Sequence, residues 1–415
     1  MFARLWQGHA RSLTGLPREI WILSAVLLVN RAGVMVMPFL GIYLVMKRDF
    51  SPLEMGAFMA LAGVGSMVGV QLGGWLTDRI GHLKVQLGSM ILAAPLFLLL
   101  GAQEHPAAIA VALFALTVAF DGIRPANGAA IALYSPLEVR TRAFGLMRLA
   151  VNLGVTVGPA LGGVLAGIDY AWLFRANALA SLVSAGVLYA LGRGWTPVAE
   201  LEEPARADSR AYTPWRDRRL LIFMGLLVIG SIPFFQIQST LPLFLKEVRG
   251  MSEAWIGATF AINTVVIVLC ELPLLYAIRR HSSIRVTAWG CLFAGLGFGL
   301  TPLWPGFAWV AVTVLVWTVG EMLQAPSAVA WVSLRGPNAT RGRTMGVFGL
   351  GFALAAMLGP LFGTFLYEYI GPRAPWAGCA LLGVLTYLGM TALARAEARD
   401  DEPQPQTPPA DTTAA

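Results

Sequence analysis

Twelve runs of mostly apolar residues, each about the length of a bilayer crossing, constrain this chain more than any other feature. A membrane helix needs about 20 such residues, because hydrocarbon offers no partner to an unpaired backbone N–H or C=O. The runs cover 20–46, 52–77, 85–103, 107–134, 143–167, 172–192, 219–245, 253–278, 286–302, 307–334, 344–367 and 375–396, numbered here as spans 1 to 12. With 57% of 415 residues hydrophobic and 13% charged, the fold class is an all-α membrane protein of twelve transmembrane helices. The first run is too long for a signal-peptide core and has no small-residue cleavage site after it, so it is expected to be retained.

Basic residues set the orientation. With the N-terminus inside, 21 of the 30 lysines and arginines fall in cytoplasmic segments and six outside. Both termini are therefore expected in the cytoplasm, and the net charge of +7 reflects topology and anionic lipid headgroups, not nucleic acid. The remaining three, Arg31, Arg124 and Arg148, lie inside spans, with Arg148 close enough to the inner surface to snorkel.

The chain also repeats itself. "RTRAFGLMRLAVNLGVTVGPALGG" at 140–163 aligns without gaps on "RGRTMGVFGLGFALAAMLGPLFGT" at 341–364, an offset of 201 that also places Pro125 on Pro326 and Ser51 on Ser252. An even number of helices per repeat returns the chain to the same side, so the two six-helix halves are parallel repeats about an axis along the membrane normal. The expected organisation is an N-terminal half at 1–192, a cytoplasmic linker at 193–218, a C-terminal half at 219–396 and a disordered, Pro-rich cytoplasmic tail at 397–415.

Charge inside the spans is confined. Span 1 has Asn30 and Arg31, span 4 has Asp121, Arg124 and Asn127, span 7 has Gln236 and Gln238, and span 10 has Glu321 and Gln324. Such groups are too costly to face lipid, so these four spans are expected to line a water-accessible cavity for a small-molecule substrate. The repeat keeps glycines and prolines but not these charges: Asp121 aligns with Met322, Arg124 with Ala325 and Glu321 with Phe120. A proton carrier needs a carboxyl stable in its neutral form, which desolvation favours and a nearby guanidinium opposes. Asp121 beside Arg124, Glu321 with no base in its own span interior, and Glu271 in span 8 are the candidates for proton coupling. A structural ion pair is the competing reading for Asp121 and Arg124, and a capping or interhelical hydrogen bond for Glu271.

Gly154, Gly158 and Gly162 recur every fourth residue in span 5, forming a smooth face, and Pro159 withdraws the donor for the Val155 carbonyl in the middle of it. Such a seam suits a pivot; ordinary small-residue packing is the competing reading. Cys270, Cys291 and Cys379 lack metal-ligand spacing, and no phosphate loop or nucleophile constellation occurs, so no metal, no cofactor and no enzyme is expected.

These motifs make the whole chain resemble a major facilitator superfamily transporter. "GGWLTDRIGHLK" at 73–84 resembles that family's loop signature between helices 2 and 3, with Gly74, Leu76, Asp78, Arg79, Gly81 and Lys84 in place and His82 and Leu83 where a basic pair is usual. "RPANGAA" at 124–130 resembles the helix-4 motif of proton-coupled members. Gly145, Gly154, Gly158, Pro159, Gly162 and Gly163 match the helix-5 pattern of the drug/proton antiporter subgroups at every spacing. The helix-1 motif of peptide transporters is matched only in part, since Asn30 stands where an acid and Ala32 where an aromatic is expected. The resemblance implies a proton-driven exporter of amphiphilic small molecules in a bacterial inner membrane, acting as a monomer; the alternative is a proton symporter importing an anionic or zwitterionic metabolite. Asp78 is expected to gate the inner side, facing the N-terminus of span 11 near Thr344, or Arg140 and Arg142. Arg79 and Lys84 belong to the same loop, where enforcing topology explains them equally well.

Overall fold

The computed structural model describes residues 15–192, 194–195, 213–335 and 341–400, and those residues form helices and turns with no strand. Eleven helices are long and apolar enough to cross a membrane. They match eleven of the twelve runs. The ninth run, 286–302, becomes a helix of the same length, the 17 residues Ser283–Gly299, displaced by three residues toward the N-terminus. At about 1.5 Å per residue it reaches about 26 Å, slightly less than a 30 Å hydrocarbon core. It ends where Thr301 and Pro302 turn the chain, and the Leu300 carbonyl accepts a bond from Trp309 Nε1 at 2.9 Å.

Three spans are broken in mid-membrane. Span 1 consists of Arg18–Ala32 and Val36–Arg48, span 4 of Pro106–Asp121 and Ile123–Tyr134, and span 7 of Arg218–Ser231, a 3-10 turn at Phe234–Gln238, and Thr240–Glu247. Each break precedes a proline by one turn: Pro38 after Val34, Pro125 after Asp121, Pro242 after Gln238. A proline has no N–H for the carbonyl four residues back, so the ladder opens there. Proline alone does not decide the matter, because Pro326, the repeat partner of Pro125, lies within the continuous helix Phe307–Ser333. Span 4 has Gly122 at the break where span 10 has Leu323, which favours the helix more.

Spans 2 and 11, and spans 5 and 8, join the first six helices to the last six. The contacts gather at one end. There Gly56 meets the Thr364 side chain, Gly163 the Glu253 backbone, and Gly257 the Pro159 carbonyl. This is the end that the distribution of basic residues predicts to be the outer one, hereafter the outer end. At the opposite end Asp78, Arg79, Gly81 and Lys84 are all exposed.

Two boundaries move. Glu397, where the tail is expected to start, lies within span 12, which runs Ala374–Asp400 and is held where Glu397 pairs with Arg335 and accepts a bond from Trp331 Nε1 at 3.3 Å. Most of the linker and the tail beyond Asp400 lie outside the described residues. The last part of the linker is ordered as a turn, Pro214–Arg216, after which Asp217 caps span 7 by accepting the Leu220 N–H at 3.0 Å.

Candidate functional site

The break in span 4 sets the first group. Asp121 is the last residue of one half-helix and Arg124 lies in the first turn of the next, with Arg124 Nε 2.8 Å from Asp121 Oδ1. Asp121 is buried while the Arg124 side chain is more than half exposed, so the pair presents its basic side outward. Arg31, one residue before span 1 breaks at Ala32, lies 4.9 Å from the Phe120 ring centroid and within electrostatic reach of both Asp121 and Arg124. Beside it, the buried Asn30 Oδ1 has no hydrogen-bond partner.

Across the bundle, Glu321 accepts a bond from Asn263 Nδ2 at 2.9 Å, and Asn263 also donates to Thr318 Oγ1 at 3.1 Å. A neutral donor, the Asn263 amide, therefore holds this carboxyl in span 10. Glu271 in span 8 is different: it is buried and paired with Arg148 of span 5, an ion pair that joins the two halves. Both members act electrostatically on Glu321. Arg148 thus reaches Glu271 with its guanidinium while its side chain stays more than half exposed. Removing Arg148 strands a buried carboxylate, which costs roughly 3–5 kcal/mol for a fully buried pair and less here because Arg148 is partly exposed. Arg148→Ala is expected to lower the thermal unfolding midpoint, with Glu271→Gln added to it restoring most of the loss; equal stability of wild type and Arg148→Ala would show the pair to be idle.

Several amides expected to line the cavity are used elsewhere. Gln236 is fully buried, donating to the Ile232 and Gly359 carbonyls at 3.1 and 2.8 Å and accepting from Thr240 Oγ1 at 2.8 Å. It clamps the break in span 7 to span 11. Asn127 accepts from Gln86 Nε2 of span 3 at 2.7 Å, and Gln324 donates to Ser231 Oγ of span 7 at 2.8 Å. These three satisfy interhelical joints, where a buried amide needs partners. Gln238 remains exposed.

Span 5 is clasped on two sides. A side chain added at Gly154 would lie 2.6 Å from Arg31 Cβ, and one at Gly158 3.0 Å from the Ala32 carbonyl, so the glycine face receives the backbone of span 1 beside its break. Gly162 meets Met35, while Gly163 and the Pro159 carbonyl meet span 8. Pro159 itself sits in a continuous helix, Leu137–Ile168.

The profile of the Major Facilitator Superfamily matches residues 20–348 and 256–414. The chain belongs to this superfamily. A POT family transporter, solved in complex with a thioalcohol-conjugated peptide, superposes with a TM-score of 0.75 over 94% of this chain and 98% of its own, at 16% identity. The multidrug resistance protein MdtH of Sodalis glossinidius is 26% identical over 397 residues, covering 92% of this chain and 94% of its own. A Na(+), Li(+), K(+)/H(+) antiporter of Planococcus maritimus is 22% identical over 369 residues, covering 80% and 85%. This superfamily member is a transporter and not an enzyme.

Its signature loop is open in this structure. Gly81 ends span 2 and begins span 3 with φ of +86°, a conformation only glycine adopts without strain. Arg79 packs over the Trp75 ring at 4.1 Å, a side chain added at Gly74 would lie 3.9 Å from Pro125, and Asp78 makes no hydrogen bond or ion pair among the described residues. The contacts expected of Asp78 with Arg140, Arg142 or Thr344 are thus absent here, and Arg140 Nε is buried without a hydrogen-bond partner.

The outer end holds residues that sequence reasoning passed over. Glu253 Oε1 accepts from Tyr170 OH of the first half at 3.0 Å and lies 2.8 Å from Lys246 Nζ. Glu368 accepts the Leu53 N–H at 2.7 Å, a second bond between halves. Burial first, and the Glu253 charge second, push the Tyr170 hydroxyl up, so it stays a donor at any physiological pH. Glu253 reads in the sequence as an ordinary acid in a helix's first turn, and no local signal distinguishes it.

Proposed function

We propose that this protein is a proton-coupled exporter of amphiphilic small molecules, working by alternating access as a monomer in a bacterial inner membrane with both termini in the cytoplasm. The observation that carries the reading is Glu321, an intramembrane carboxyl held by the neutral Asn263 rather than by a base of its own helix. A carboxyl so placed tolerates both protonation states, as a carrier must. The MdtH and antiporter relatives support export and proton exchange. The exposed side of Arg124 favours a second reading, proton-driven import of an anionic or zwitterionic metabolite. Vesicles containing the purified full chain separate the two regardless of insertion: accumulation driven by an acid lumen marks exchange against protons, and accumulation driven by an alkaline lumen marks symport. Counterflow of a substrate panel identifies the cargo; no counterflow of any amphiphile would remove the first reading.

The exposure of Asp78 supports a gating role for it in a second state, when the halves close around it. Asp78→Asn is expected to leave the unfolding midpoint and substrate binding near wild type and to cut transport, because it changes the populations of states and not cavity contacts. Collapse of binding with unchanged inner-end distances would remove Asp78 from the gate. For orientation, a cysteine replacing Trp195 is expected to resist an impermeant thiol reagent in intact cells, while one replacing Arg249 reacts; the reverse pattern overturns the topology.

A further inference from the structure

Away from the central site, spans 2, 3 and 4 enclose a groove of about 590 Å³ that runs from mid-membrane to the end carrying the signature loop. Small residues create it. Gly69 and Gly73 bring the backbone of span 2 onto span 4, where a side chain at Gly73 would collide with the Gly122 carbonyl, and Gly88 of span 3 leaves open space where a side chain would stand. The walls are apolar, with Leu72, Ile80 and Leu92 exposed along them. At the mouth Lys84 is exposed and has no ion pair or hydrogen bond among the described residues. From Lys84 to Leu96 at the far end of the groove, span 3 rises about 18 Å, close to the roughly 15 Å of hydrocarbon in one leaflet.

We propose that this groove seats one acyl chain of an anionic phospholipid, with its phosphate on Lys84. The groove has the depth of a leaflet and a free cation at headgroup level, on the side where the basic residues gather and anionic lipids concentrate. A chain laid there fills the space that Gly88 leaves open. It also lies against the seam between spans 2 and 4, so the lipid reports on the first half's packing without entering the substrate cavity. The inference depends on the orientation given above only for which leaflet supplies the lipid.

The test uses purified full-length protein in detergent with phosphatidylglycerol or phosphatidylcholine, each carrying a photoactivatable diazirine on the acyl chain. Phosphatidylglycerol is expected to label the 72–96 segment several-fold more than phosphatidylcholine does. Lys84→Ala should reduce that labelling to the phosphatidylcholine level, and Gly88→Leu, whose side chain enters open space and so leaves the fold intact, should suppress both. Equal labelling by the two lipids, or a headgroup preference that survives Lys84→Ala, would overturn the proposal. Displacement of the lipid by transported solutes would overturn it as well, by making the groove part of the substrate route.

Discussion

Glu321→Gln is expected to abolish accumulation driven by a proton gradient while substrate exchange continues. A glutamine is isosteric with the protonated acid but never releases a proton, so the cycle keeps its substrate steps and loses its energy source. Asn263 reaches Glu321 from span 8 through Nδ2, and the equivalent oxygen of a glutamine still accepts that bond. Counterflow should therefore stay within about twofold of wild type, under ~0.4 kcal/mol of change in binding. Asp121→Asn makes a useful contrast. Its carboxylate already has a counter-charge, Arg124 at 2.8 Å, and removing it leaves an unpaired guanidinium in the middle of the membrane. If both carboxyls carry protons, both neutral variants lose the proton released on substrate binding in unbuffered solution. Unchanged proton stoichiometry in both removes them from the coupling and leaves Glu271, whose ion pair with Arg148 joins the halves, as the remaining intramembrane acid to test.

What the sequence disclosed and what it hid follow from the range of the forces involved. The spans were legible because hydrocarbon imposes a length and a composition on every crossing; even the short span 9 keeps its expected 17 residues, with its bounds moved by three. The glycine face at 154, 158 and 162 was legible for a similar reason, since four-residue spacing is a property of the helix itself. The same spacing at Gly65, Gly69 and Gly73 carries the packing of span 2 on span 4 and was open to the same argument. The fate of polar side chains was not legible. Gln236, Asn127 and Gln324 sit on spans that do carry charge, but whether an amide faces a cavity or a neighbouring helix depends on rotation about the helix axis, which a run of apolar neighbours leaves open. The pair of Arg148 and Glu271 joins residues 123 apart in the chain, and only the docking of spans 5 and 8 brings them together. Asp78 fits its motif, yet its motif describes a partner that this arrangement of the halves does not supply.

Opening the outer end is expected to require the loss of very few bonds, with Glu253 the most consequential. This carboxylate is buried between the halves, taking the Tyr170 hydroxyl from one and the Lys246 ammonium from the other. Tyr170→Phe deletes only the bond between halves. A hydrogen bond to a charged group contributes about 1.5–3 kcal/mol, so its loss shifts the balance between closed and open by roughly 10- to 150-fold. Lys246→Met goes further: it leaves Glu253 charged, buried and without its cation whenever the outer end is closed, a penalty that water relieves once the end opens. Spin labels at Gly167, where a side chain meets open space, and at Arg373 on the opposite half would read the separation directly. Tyr170→Phe should add a longer distance to the distribution, and Lys246→Met should make it dominant. Unmoved distributions in both variants would mean that the closure rests on the glycine contacts at Gly56, Gly163 and Gly257, and that Glu253 only fills space between them.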